Sequence, residues 1–137
     1  MRRLVLLLLL FGCGPERSFD AVDPALFEAT PSYATDVAPL MDRYCEACHA
    51  SDGLRAGGVE LDLYENLYSA RVKNVCVAIE PELLDRYATE LLAERVKQDD
   101  GPCSDWEPYS MPTGAKLRLT PSEQVVFVRW VVTGANP

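Results

Sequence analysis

The sequence predicts an all-α fold of about four helices with no sheet of consequence. Two observations support this class: apolar residues recur three and four positions apart in several segments, and a strong helix-start signal precedes the last of them. The chain has 137 residues, of which 48% are apolar, and this suffices for one domain with an ordinary core.

Three helices are predicted from the apolar spacing in the middle of the chain. The first covers about 36–46, and Pro39 is tolerated there because it falls in the first turn. A short helix follows 61–64 and reaches about residue 70; a longer one begins after Pro81. The apolar faces comprise Val37, Leu40, Met41 and Tyr44 in the first helix, and Leu83, Leu84, Tyr87, Ala88, Leu91, Leu92 and Val96 in the longer one.

The last helix has the clearest start signal in the chain. Thr120 is a suitable N-cap, Pro121 occupies the first helical position, and Glu123 completes a capping box. The β-branched run at 125–132 taken alone would also suit a strand. The capping signals favour a helix, and Gly134 provides its end.

The N-terminus is predicted to be an export signal. Arg2 and Arg3 precede eight apolar residues, too few for the roughly 20 that span a bilayer as a helix. The residues 10–13 resemble a bacterial lipobox, which implies cleavage before Cys13 and attachment of a lipid to its sulfur. An ordinary signal peptide with a chance cysteine is the alternative. The expected organisation is a signal at 1–12, a lipidated and proline-containing flexible tether at 13–32, and a domain at 33–137.

Charge narrows the range of partners. The formal net charge is -8, and no run of basic residues exists that would neutralise phosphates, so nucleic-acid binding is not expected. An acidic protein would instead meet a basic partner, with electrostatics raising the rate of encounter.

The motif Cys45-Glu46-Ala47-Cys48-His49 is the attachment pattern of c-type haem. Two thiols three residues apart reach the two vinyl groups of a porphyrin, and the adjacent imidazole becomes an iron ligand. Three alternatives remain: a thioredoxin-like redox pair, a zinc site with a further cysteine, and a plain Cys45–Cys48 disulfide. The missing βαβ setting disfavours the first, and an oxidising compartment disfavours the second.

Met111 is the candidate for the second axial ligand, because Met1 leaves with the signal and Met41 lies on the helix before the motif. A thioether favours ferrous iron and raises the reduction potential. The alternative is that Met111 only fills core space. The two cysteines not otherwise used, Cys76 and Cys103, are expected to form a disulfide in an exported protein.

These motifs together resemble monohaem class I cytochrome c domains, in particular those of planctomycete- and myxobacterial-type exported proteins. The resemblance covers roughly 33–136 and includes a Gly-Gly-x-x-Leu-Asp stretch at 57–62. It implies a cytochrome c-like fold with one haem c bound covalently at Cys45 and Cys48 and ligated by His49 and Met111. It also implies that the first and last helices cross at one haem edge. The segment 83–103 is longer than such domains usually have.

The expected function is electron transfer on the periplasmic face of a bacterial membrane, the outer membrane being weakly preferred. The expected partners are periplasmic or membrane redox proteins, the lipid is the expected membrane contact, and the protein is expected to be a monomer. No catalytic acid, base or nucleophile stands out, so an electron carrier rather than an enzyme is expected. Two alternatives are a haem-based sensor that binds a gas and a non-haem docking lipoprotein.

Overall fold

The computed structural model describes residues 18–98, 103–112 and 117–137. The expected signal at 1–12 and the expected lipid site at Cys13 lie outside them. Within these ranges the chain is mostly helical and contains no strand, which confirms the all-α class.

Seven α-helices occur in the described ranges: α1 (Ala38–Tyr44), α2 (Glu46–His49), α3 (Tyr64–Ser69), α4 (Arg71–Ala78), α5 (Pro81–Arg86), α6 (Ala88–Gln98) and α7 (Pro121–Val132). Short 3-10 turns cover Phe19–Ala21, Pro24–Glu28, Ala56–Gly58 and Cys103–Asp105, and a π-helical turn covers Tyr33–Val37.

The first predicted helix is present but begins earlier and continues further. Ser32 caps it, because its side chain accepts a hydrogen bond from the N–H of Thr35. The π-helical turn leads directly into α1, and α2 follows after Cys45. The Cys45–His49 motif therefore lies on the last turn of a nearly continuous helical segment.

The helix predicted after Pro81 is divided at Tyr87, whose ψ of 19° departs from helical geometry. Its backbone N–H still donates to the carbonyl of Leu83, and its own carbonyl accepts from Leu91. The helical hydrogen-bonding pattern thus passes through the division between α5 and α6. Helix α4 was not predicted; it follows α3 with only Ala70 between the two helices.

Helix α7 lies at the centre of the core. It packs against α4, α6 and the N-terminal turns, and Phe127, Val128, Trp130 and Val131 are almost completely buried. The C-terminus closes over it, because the backbone carbonyl of Asn136 accepts from the Trp130 indole at 2.8 Å. The same carbonyl accepts from the Tyr33 backbone N–H at 2.9 Å, which joins the start of the π-helical turn to the C-terminal segment.

The segment expected to be a flexible tether instead packs on the domain, and its turn Pro24–Glu28 contacts α7. Phe19 and Val22 belong to the core, with exposed fractions of 6% and 5%. The Arg129 side chain on α7 donates to the backbone carbonyl of Ala29 at 3.0 Å. The flexible tether was expected from the prolines, but prolines stiffen a chain and do not prevent it from packing. The burial of the Phe19 and Val22 side chains stabilises the packed arrangement. The compact unit thus starts before residue 33.

A buried ion pair joins α4 to α6. The Arg71 guanidinium lies 3.0 Å from the Glu94 carboxylate, and both side chains are at least 94% buried. Lys97 lies at the surface and contacts the second carboxylate oxygen of Glu94. Two cationic side chains, Arg71 and Lys97, therefore compensate the buried charge of Glu94. Among the described residues no helix is long and apolar enough to cross a membrane.

Candidate functional site

A cavity of about 420 Å³ lies between the Cys45–His49 motif, α4 and α7. This volume falls in the range of about 300–1,000 Å³ typical of small-molecule and cofactor sites. Its walls are mostly apolar and include Met41, Leu61, Leu67, Val77, Leu119 and Phe127. Cys45, Cys48, His49 and Met111, the four residues selected from the sequence, all line it.

The helical segment positions the motif through its own backbone. The N–H of Cys45 donates to the Met41 carbonyl at 2.8 Å, and the N–H groups of Cys48 and His49 both donate to the Cys45 carbonyl. Cys45 and Cys48 form no disulfide with each other, so the plain structural disulfide considered above is not what the structure contains.

A backbone carbonyl orients the His49 ring. His49 Nδ1 lies 3.2 Å from the carbonyl oxygen of Val59. A carbonyl only accepts, so Nδ1 is the donor in this contact, and in the neutral ring Nε2 then carries the lone pair that can bind a metal. Such a second partner is typical of ligating histidines, because it orients the ring.

The loop that supplies this carbonyl is held close to the motif. The N–H of Leu61 donates to the His49 carbonyl at 2.8 Å. Asp62 accepts from the hydroxyl and the N–H of Ser51, and these hydrogen bonds, led by the hydroxyl, lower the pKa of its carboxyl. The turn between Ser51 and Asp62 contains Gly57 and Gly58, whose φ angles of 65° and 73° are rarely adopted by residues with a Cβ.

Met111 enters the cavity from a separate loop. Its N–H donates to the Val77 carbonyl on α4 at 3.0 Å, and the residue is 38% exposed. Exposure of this size differs from that of core methionines, since Met41 in the same cavity is 1% exposed. Met111 therefore lies at the rim rather than within the packed interior.

Asn74 is a cavity residue that sequence reasoning missed. It is 9% exposed, and its Nδ2 group has no hydrogen-bond partner among the described residues. An unsatisfied buried amide costs free energy, so its presence in an apolar wall favours a polar atom of a ligand nearby. The sequence signal that could have identified Asn74 is its position as a single amide in the mostly apolar segment 72–79. No helix was predicted for this segment.

The environment of Cys45 distinguishes among the alternatives for the motif. Burial, with smaller contributions from Glu46 and Cys48, raises the pKa of the Cys45 thiol to about 11. Thioredoxin-like cysteines need the opposite shift, so this environment weighs against such a redox pair. Within the described ranges no cluster of three or more His, Cys, Asp or Glu side chains is arranged to hold a metal ion.

The remaining two cysteines lie beside this site. The structure brings the sulfurs of Cys76 and Cys103 to bonding distance, with a Cα–Cα distance of 5.4 Å. The pair joins α4 to the turn Cys103–Asp105 and is consistent with the disulfide expected from the sequence.

Comparison with protein families, with curated proteins and with solved structures finds no match to this chain.

Proposed function

We propose that this protein is an exported monohaem c-type cytochrome that carries electrons between redox proteins. The observation that supports the proposal most strongly is the convergence of Cys45, Cys48, His49 and Met111 on one mostly apolar cavity. Met111 is far from the motif in sequence, and residue spacing alone did not require that it reach the same cavity.

The residues present are suited to a haem. Cys45 and Cys48 would form the two thioethers, and His49, with its proton held on Nδ1, would ligate iron through Nε2. Met111 would supply a second ligand to the iron through its thioether sulfur. Asn74 and Lys73, both in the cavity wall, would donate hydrogen bonds to polar atoms of the group. When bound, haem supplies one-electron chemistry, and the apolar walls limit its access to water.

The proposed location follows from the N-terminal sequence. Export and lipidation of Cys13 would place the domain on the periplasmic face of a bacterial membrane. Its partners would then be periplasmic or membrane redox proteins with complementary positive surfaces, because the chain carries a net charge of -8.

A pyridine haemochrome spectrum of the denatured mature protein, made with c-type maturation factors, tests the proposal. The expected result is one covalently retained haem c per chain. The Cys45→Ala/Cys48→Ala variant should lose it, since both thioethers are absent. The matched control, Cys76→Ala/Cys103→Ala, also removes two cysteines and should retain the haem. A wild-type protein without covalent haem, in a host that matures other cytochromes c, would contradict the proposal.

A further inference from the structure

The disulfide partners lie beside the backbone that carries Met111. Cys103 begins the described loop 103–112, and Met111 is near its end. Cys76 is on α4, and the residue after it, Val77, accepts the hydrogen bond from the Met111 N–H at 3.0 Å. The two ends of the loop therefore meet adjacent residues of one helix.

A third contact lies between these two. Trp106 packs against the edge of the core, and Lys73 Nζ lies 5.9 Å from the centroid of its ring. Lys73 is one turn before Val77, so the loop follows α4 closely. The cation–π contact and the hydrogen bond each exchange readily with water, whereas the disulfide does not open without a reductant.

The helix that receives these contacts is also a cavity wall. Lys73, Asn74, Val77 and Ala78 of α4 all line the cavity, and the fully buried Cys76 lies among them in sequence. A restraint between α4 and the loop thus fixes Met111 relative to the cavity itself. The fraction of time a loop ligand spends bound depends on how narrowly its loop is held.

We propose that the Cys76–Cys103 disulfide is a positioning element for the axial ligand. By holding loop 103–112 against α4, it keeps Met111 at the haem iron and keeps other ligands away from it. This inference rests on the proposed haem function and extends it to the control of the sixth coordination position.

The test compares ligand binding with and without the disulfide. The Cys76→Ala/Cys103→Ala protein should retain one covalent haem, show weaker far-red absorbance from methionine bound to ferric iron, and bind imidazole at least about tenfold more tightly. Both cysteines are replaced so that no single thiol is left to ligate the iron. Unchanged imidazole affinity with intact far-red absorbance would overturn the inference.

The same substitutions in a Met111→Ala background separate positioning from a general loosening of the cavity. With the methionine already absent, loss of the disulfide should change imidazole affinity by less than about twofold. A tenfold change in both backgrounds would show that the disulfide acts on the whole cavity, and would overturn the inference.

A measurement on the wild-type chain covers the case in which the double variant fails to fold. Dithiothreitol opens disulfides but leaves thioethers intact, and thiol counting verifies that two new thiols appear. Ascorbate-reduced protein should bind carbon monoxide after this treatment and resist it before; equal binding in both states would overturn the inference. If the untreated protein holds no covalent haem, the proposed function fails; haem with disulfide-independent ligand binding contradicts the positioning role alone.

Discussion

The polar side chains of the cavity differ in how completely their neighbours satisfy them. His49 has a carbonyl partner for one ring nitrogen, whereas the amide of Asn74 lacks a partner among the residues the structure describes. Cys45 is held in its neutral thiol form by burial. A neutral thiol, an oriented imidazole and an unsatisfied amide in one apolar cavity suit a large, mostly apolar ligand better than they suit hydrolytic chemistry.

Met111 offers the most direct test of iron ligation. We expect Met111→Ala to lower the reduction potential by on the order of 100 mV, because a neutral thioether stabilises ferrous iron. The variant should also lose the far-red absorbance of ferric methionine ligation. Redox titration and absorption spectra measure both effects.

The control is Met41→Leu, which replaces the buried methionine of the same cavity with a side chain of similar size. It should leave the potential unchanged and cost less than about 1.5 kcal/mol of stability. An unchanged potential in Met111→Ala would remove Met111 as the ligand. Carbon monoxide binding to the untreated, reduced wild-type protein would favour the gas-sensor alternative over an electron carrier.

At the scale of elements, Glu123 at the N-terminus of α7 has two structural roles. Glu123 completes the capping box with Thr120, whose N–H and hydroxyl donate to its carboxylate at 2.8 Å. The same carboxylate accepts from the Tyr44 hydroxyl at 2.9 Å and lies 3.2 Å from the Arg43 guanidinium. One side chain therefore starts α7 and also joins it to the helix that precedes the attachment motif.

This arrangement predicts a pH dependence of stability. Partial burial taken alone would raise the pKa of Glu123, but the hydrogen bonds from Thr120 and Tyr44 and the charge of Arg43 outweigh it and lower the pKa. A lowered folded-state pKa contributes stability above the unfolded pKa of about 4.3, and this stability is lost as the pH falls through the folded value. We expect Glu123→Gln to reduce the free energy of unfolding at pH 7 by roughly 0.5–1 kcal/mol, with the difference shrinking in acid.

Chemical denaturation at a series of pH values checks this prediction. Glu65→Gln is the matched control, because it removes the same charge from an exposed position in the first turn of α3. It should show a smaller effect at pH 7. A difference between wild type and Glu123→Gln that grows as the pH falls would have the wrong sign and would contradict the assigned shift.

The elements that could be predicted are those with local signals. The α7 helix was predicted because its capping box and Gly134 lie next to its ends, and the structure confirms both. The α4 helix was missed although Val72, Val75, Cys76 and Ile79 have helical spacing and are buried. No cap marks its start, and only Ala70 separates it from α3, so local signals gave no reason to expect a second helix there.

The cavity shows the same contrast between local signals and long-range packing. The Cys45–His49 motif is a local pattern, and the structure places Cys45, Cys48 and His49 at one cavity. The Val59 carbonyl and the Asn74 amide depend on how separate segments pack, and no residue-type pattern marks them. The burial of Phe19 and Val22 was not predicted for the same reason: their segment packs through contacts that are distant in sequence. One of these contacts joins Ala29 to Arg129, 100 positions later.

On the scale of the whole molecule, that packing changes how the domain would be attached to a membrane. A flexible tether over 13–32 would let the domain stand far from a lipid on Cys13. Phe19 is already packed in the core, so five residues separate it from Cys13. Five residues span at most about 18 Å when extended, so a lipid-anchored form would hold the domain close to the bilayer surface.

Replacing the lipid site tests the anchor directly. We expect Cys13→Ser to move the protein from the membrane fraction to the soluble periplasmic fraction while the haem content per chain stays the same, because the lipid and not the domain provides the membrane affinity. Mass spectrometry of the N-terminus is the control, since an uncleaved signal would also retain the protein at the membrane. A cleaved Cys13→Ser protein that still sediments with membranes would show that a surface of the domain binds there. A wild-type N-terminus that is cleaved elsewhere and carries no lipid would restore the ordinary signal peptide as the correct interpretation.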